Sequence, residues 1–119
     1  MVVYYMLIKQ LRELLVTKQG FTVHSNGDVA NFNKGYMVSL YGYERKVMLR
    51  DADAFEKCFV ELQRIAEALN VQVGAWVDGP LVYLDLSENV PNIQDALFLG
   101  KARKQLAIWD CKKERAINL

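Results

Sequence analysis

Side chains able to do acid–base, nucleophilic or metal chemistry are few in this chain and poorly grouped. His24 is the single histidine. It lies in an alternating stretch with no cysteine or acid at a ligand spacing, so it reads as a hydrogen-bonding or exposed histidine rather than a catalytic base. Zinc asks for about four Cys/His-type ligands, and Cys58, Cys111 and His24 are too scattered to supply them. Ser25, Ser39 and Ser87 stand in no nucleophile-elbow context, and neither a GxGxxG stretch nor a Walker loop is present. The carboxylates Asp78 and Asp85 flank a central hairpin and are spaced to face each other across it, as acid–base pairs on hairpins do. The commoner role is structural, with Asp78 holding the turn and Asp85 meeting a Lys or Arg. No catalytic residue, metal or cofactor is assigned, and the chain reads as non-enzymatic.

The elements that position these groups follow from periodicity. Val3 to Lys18 predicts a helix, with Tyr4, Leu7, Ile8, Leu11, Leu14 and Leu15 on one face and Lys18 and Gly20 as stop signals. From Phe21 the period changes to two. Phe21–Ser25, Gly35–Tyr41 and Arg45–Leu49 predict a three-stranded meander, with turns at Asn26-Gly27-Asp28 and Gly42-Tyr43-Glu44. A second helix is capped by Asp53, with Glu56 three residues on. It carries Phe55, Cys58, Phe59, Leu62, Ile65, Ala66 and Leu69 as its apolar stripe and ends at Asn70.

The densest patterning lies between Val71 and Asp110. Val71, Val73, Ala75 and Val77 alternate with Gln72, Gly74, Trp76 and Asp78, the signal of a half-buried strand. Asp78-Gly79-Pro80 breaks it as a hairpin corner, and Leu81–Leu86 returns as a second strand. A third helix begins near Asn92 and uses Ile93, Ala96, Leu97 and Ala102, with Gly100 kept small by close packing against the sheet. Strands Leu106–Trp109 and Arg115–Leu119 close the chain. The expectation is an α+β fold of order αβββα-ββαββ: one domain over residues 1–119, with an antiparallel sheet, or two small ones, covered by helices.

Composition bounds the rest. A chain of 119 residues with 52% hydrophobic and 24% charged residues is long enough to bury a core without staples. The apolar runs fall far short of the ~20 residues that span a bilayer, and Met1–Ile8 lacks the flanks of a signal peptide. Two cysteines fit a reducing cytoplasm better than a disulfide scaffold. Charge is uneven along the chain: net +4 over residues 1–50, −7 over 51–100 and +4 over 101–119, a polarity suited to steering a partner.

Two kinds of partner suit these residues. Tyr36, Tyr41, Trp76 and Trp109 are amphipathic aromatics of the type that carries protein interfaces. Trp76 falls on the opposite strand face from Val73, Ala75 and Val77. Lys101, Arg103, Lys104, Lys112, Lys113 and Arg115 would form a basic nucleic-acid-binding patch beside Trp109 if helix end and turn converge. A solvated helix C-terminus is the alternative. The αβββα order of residues 3–70 also fits a double-stranded-RNA-binding domain. That fold needs cations at the start of its second helix, where this chain has Asp51, Asp53 and Glu56.

The stretches GYMVSLYGYE, GAWVDGPLVYLDLSENV and ALFLGKARKQLAIWD resemble small α+β proteins carried by phages and integrative elements of bacteria. The shared shape is a G-x-W-x-D hairpin, a Y-L-D-L-S strand, an A-x-x-L-G helix and a Q-x-A-I-W-D strand, covering about half the chain. The resemblance implies a mobile-element accessory protein that acts by binding, in the manner of anti-CRISPR or anti-restriction inhibitors of a host nuclease complex. It carries no functional residues with it.

Overall fold

The computed structural model describes residues 2–119, with side chains from Met6 onward; Met1 and the predicted core contact of Tyr4 lie outside what it describes. Helix α1 (Val2–Thr17) buries Leu7, Ile8, Leu11 and Leu15 as its spacing predicts. The left-handed residue that follows it is Gln19 (φ 66°), not Gly20. Gly20 is needed for a different reason: it opens strand β1, where a Cβ would lie 2.6 Å from the Ala75 carbonyl oxygen.

Helix α2 (Ala52–Leu69) starts at Asp51 rather than Asp53. The Asp51 carboxylate accepts from the Ala54 amide at 3.0 Å, and Asp53 joins the first turn, where its charge suits the dipole. Asn70 ends it in the left-handed region, its amide donating to the Ala66 carbonyl. Phe55, Phe59, Leu62 and Ala66 are fully buried, Cys58 and Ile65 pack partly, and Leu69 is exposed at the helix end. Phe21 meets both phenylalanines edge-on. Helix α3 (Ile93–Ala102) is capped by Asn92, whose side chain accepts from the amides of Gln94 and Asp95. Its buried residues are Ala96 and Gly100, whereas Ile93 and Ala102 are exposed and Leu97 is partly buried. A Cβ on Gly100 would approach Leu119 Cδ1 to 2.7 Å and Ile108 Cγ2 to 2.9 Å, the close packing its presence in a helix implied.

Eight strands form one antiparallel sheet: β1 (Gly20–Val23), β2 (Val29–Ala30), β3 (Tyr36–Ser39), β4 (Arg45–Met48), β5 (Gln72–Asp78), β6 (Leu81–Val90), β7 (Ala107–Asp110) and β8 (Arg115–Asn118). The α+β class and the helix and strand order follow the sequence, with the two-residue β2 added. The meander does not form. β1 pairs with β2 and β5, while β3 and β4 pair with β6 and not with each other. Local turn signals put these strands next to each other in sequence, but the long strand β6 offers each a better partner. β6 runs to Val90, past the predicted end at Leu86. It is the spine: β5 covers one edge, and β4 then β3 share the other.

Register fixes the two faces. Val82, Leu84 and Leu86 of β6 meet α1 and α2 in the larger apolar cluster, and Val90 meets α3 in the smaller one with Val38, Ala96 and Ile108. These β6 positions are two or four apart, so they share a face. All three helices therefore pack on the same side of the sheet.

Candidate functional site

Among the described residues, no helix lies on the opposite side. Alternation and pairing place on it Thr22 of β1; Gln72, Gly74, Trp76 and Asp78 of β5; Tyr83, Asp85, Ser87 and Asn89 of β6; Lys46 of β4; Met37 and Ser39 of β3; and Trp109 of β7. Among the strand residues described, Lys46, Asp78 and Asp85 are its charged side chains. The G-x-W-x-D and Y-L-D-L-S stretches thus send Gly74, Trp76, Asp78, Tyr83, Asp85 and Ser87 to this one face.

Three zones follow one another along β6. At the hairpin end the Trp76 indole stacks on Tyr83, with centroids 5.4 Å apart and planes 8° apart. The Lys46 ammonium lies 6.0 Å from the other ring partner's centroid, that of Tyr83. In the middle is a polar floor. Gly74 pairs with Asp85, and Gln72 and Ser39 pair with Ser87 from either side. At the far end, the Asn89 amide donates to the Lys34 carbonyl at 3.0 Å and makes long contacts to Met37 Sδ and Cys111 Sγ, with Trp109 beside Met37.

Asp85 is the unusual group. It is 5% exposed although it lies on the open face, with Gly74 opposite it on β5 and Ser39 bonded to it from β3. Its Oδ2 accepts from the Ser39 hydroxyl at 2.5 Å. Its Oδ1 lies over Gly74, where a Cβ would come within 3.1 Å. Among the described residues Oδ1 accepts no hydrogen bond, and the buried Oε1 of Gln72, two residues from Gly74 on β5, has no partner either. Burial raises the carboxyl from 3.8 to about 7; the Ser39 hydrogen bond pulls it down and the Glu44 carboxylate pushes it further up. Among the described residues Asp85 therefore makes no ion pair with a Lys or Arg. Nor does it face Asp78, which pairs with Leu81 at the hairpin tip, four residues and about 13 Å away along the strand. The two carboxylates form no acid–base pair.

Of the four aromatics the sequence pointed to, Trp76 and Trp109 are on this face, 42% and 45% exposed. The row of Trp76 meets Tyr83 and that of Trp109 meets Met37 and Asn89, so about 20 Å of strand separates them. Tyr36 turns to the helix side and packs on the Val38–Val90–Ile108 cluster. Tyr41 lies in the turn after β3, 65% exposed, with the Lys104 ammonium 5.7 Å from its ring centroid.

The basic residues do not converge. Lys101, Arg103 and Lys104 end α3 near the start of β7, while Lys112, Lys113 and Arg115 surround the turn at the other end of that strand, roughly 13 Å away. Arg103 is bound to Glu88, and the backbone amides of Lys112 and Lys113 are fixed by the Asp110 carboxylate at 3.1 Å.

Gln72, Gly74, Ser39 and Ser87 are the residues of this site that motif reasoning passed over. Their signal was the scarcity of charge at the non-core positions of β5 and β6. Among the described residues no group of three His, Cys, Asp or Glu side chains is gathered to hold a metal, and no helix is long and apolar enough to cross a membrane. No family model, curated protein or solved structure matches this chain.

Proposed function

We propose that this protein is a non-enzymatic protein-binding module that docks its partner on the helix-free face of the sheet. The observation that carries the reading is the composition of that face: exposed Trp76 and Trp109, half-buried Tyr83 and Met37, and only Lys46, Asp78 and Asp85 charged. Depletion of charge with enrichment in Trp, Tyr and Met distinguishes the centre of an interface from ordinary surface. The other charges of this chain lie on the helices across the sheet, in the turns, and at the helix-side strand positions Arg45, Glu88, Asp110 and Arg115. A nuclease complex of a bacterial host is the partner class that the phage-protein resemblance supplies for this proposal.

The nucleic-acid alternative is the weaker one, because the cations it needs are split between the two ends of β7. The test is capture from a bacterial lysate by the wild type, Trp76→Ala and Trp109→Ala, with and without nuclease, alongside thermal unfolding of each. The expected result is a protein retained after nuclease treatment and lost in a variant that still melts like the wild type. Retention by both variants, or loss on nuclease treatment, refutes the reading.

A further inference from the structure

The open face has a specific receptor at its centre. Asp85 Oδ1 lies over Gly74, on the carboxyl whose other oxygen is held by Ser39, and accepts no hydrogen bond from the described residues; on the adjoining strand Gln72, paired with Ser87, has a buried Oε1 without a partner. One step along β6 stands the flat Trp76–Tyr83 stack, and the approach of Lys46 to Tyr83 marks that stack as a surface for cations. A group that complements both is planar, rich in N–H donors, positively charged and free of acceptors. Among side chains that describes the arginine guanidinium, which stacks flat on aromatic faces and forks onto carboxylates, whereas a lysine ammonium meets both only as a point charge.

We propose that the partner presents an arginine side chain to this face, its guanidinium laid on the Trp76–Tyr83 stack and hydrogen-bonded to Asp85 and Gln72. The inference rests on the docking face proposed above and adds the chemistry of what docks. Binding of the cation favours ionised Asp85, so it releases a proton below about neutral pH and tightens as pH rises. The groups facing Asp85 are Gln72, Gly74 and Trp76 on β5, Tyr83 and Ser87 on β6, Ser39 on β3, Glu44 in the following turn and Lys46 on β4. Of these, Glu44, Lys46 and Tyr83 are the titratable side chains besides Asp85.

The probe is the blocked peptide N-acetyl-Gly-Arg-Gly-amide, with its citrulline counterpart as the neutral isostere. Both are titrated into the whole protein and followed by NMR at the Trp indole N–H and the Asp85 side-chain carboxyl. The expected result is a shift at Trp76 and Asp85 but not at Trp109. Affinity for the arginine peptide should rise about twenty-fold between about pH 5.5 and 7.5. The citrulline peptide should bind far more weakly at the higher pH. In Asp85→Asn the pH dependence should vanish, and in Trp76→Ala the affinity should fall. Equal binding of the two peptides, or no shift at Asp85 with the peptide at tens of millimolar, overturns the proposal. So does salt-sensitive binding of oligothymidylate at Trp76 that competes with the peptide, or self-association that disappears in Trp76→Ala. If the arginine peptide fails while Trp76-dependent capture from lysate persists, the receptor falls and the docking face stands.

Discussion

Asp85→Asn should make this protein more stable at neutral and basic pH, although it alters a buried, hydrogen-bonded residue. The Asp85 carboxyl titrates near 3.8 when exposed in the unfolded chain and near 7 in the fold. Between those values the native state holds a proton that the unfolded state has lost, so stability falls as pH rises through the window. At about 1.36 kcal/mol per unit, three units of separation remove about 4 kcal/mol. The contribution is fully present below pH 3.8 and gone above about 7. Asparagine is isosteric and neutral, and its carbonyl oxygen can keep the Ser39 hydrogen bond. The variant should therefore match the wild type near pH 4 and exceed it by up to about 4 kcal/mol near pH 8. Every other carboxylate is common to both proteins, so the difference in urea unfolding free energy at a series of pH values isolates Asp85. A difference that is flat with pH, or an Asn variant weaker than wild type at pH 8, would refute the assignment of a buried carboxyl held near neutrality. That a single substitution should gain so much stability argues that the acid is retained for binding.

Leu62→Ala, at the fully buried centre of α2, should lose about 2–5 kcal/mol by transfer and cavity terms, checked by the denaturation midpoint; a midpoint that barely moves would mean the helix faces elsewhere. Trp76→Ala and Trp109→Ala should change stability by no more than about 1 kcal/mol, because each ring is nearly half exposed, while a hot-spot ring among them should weaken partner binding by at least ~2 kcal/mol. Gly20→Ala should destabilise more than Gly100→Ala: the first Cβ meets a backbone carbonyl, the second only side-chain methyls of Leu119 and Ile108, and alanine recovers about 1 kcal/mol of helix propensity. Burial raises the thiols of both Cys58 and Cys111, so iodoacetamide should alkylate each in the folded protein more slowly than in urea, by mass spectrometry.

What the sequence revealed was local. The helical stripes of α1 and α2 (apart from the exposed Leu69 and from Tyr4, outside the described side chains), the Asn70 cap, the start of α3 near Asn92 and the Asp78–Pro80 corner rest on short-range periodicity and backbone preference, and these are found in the structure. The pairing of β3 and β4 with β6 was hidden, because turn signals describe neighbours in sequence and say nothing of a strand forty residues away. The site was half legible. Alternation put Trp76 on the non-core face, but the emptiness of that face depends on α3 choosing the same side as α1 and α2, which no local pattern encodes. Asp85 was read as a partner for Lys or Arg because carboxylates usually are. Its neighbours on the open face, Gly74 across the strand pair and Ser39 from β3, are ones only register can name.

The spine role of β6 has a consequence for how the chain is made. Apart from the brief β1–β2 bridge, every strand of the first fifty residues takes its hydrogen bonds from a strand that comes after residue 70: β1 from β5, β4 from β6, and β3 from β6 and β7. On a ribosome the first half therefore emerges as helices and orphan edges, and its strands can be zipped in only after the hairpin of β5 and β6 has been synthesised. The joint at Asn70 and Val71 is thus a seam in the sequence but not in the fold. Chain fragments 1–70 and 71–119, expressed separately, should each lack a stable sheet and should acquire one on mixing, with a concentration dependence that makes this small protein a natural candidate for splitting into a two-part reporter of proximity.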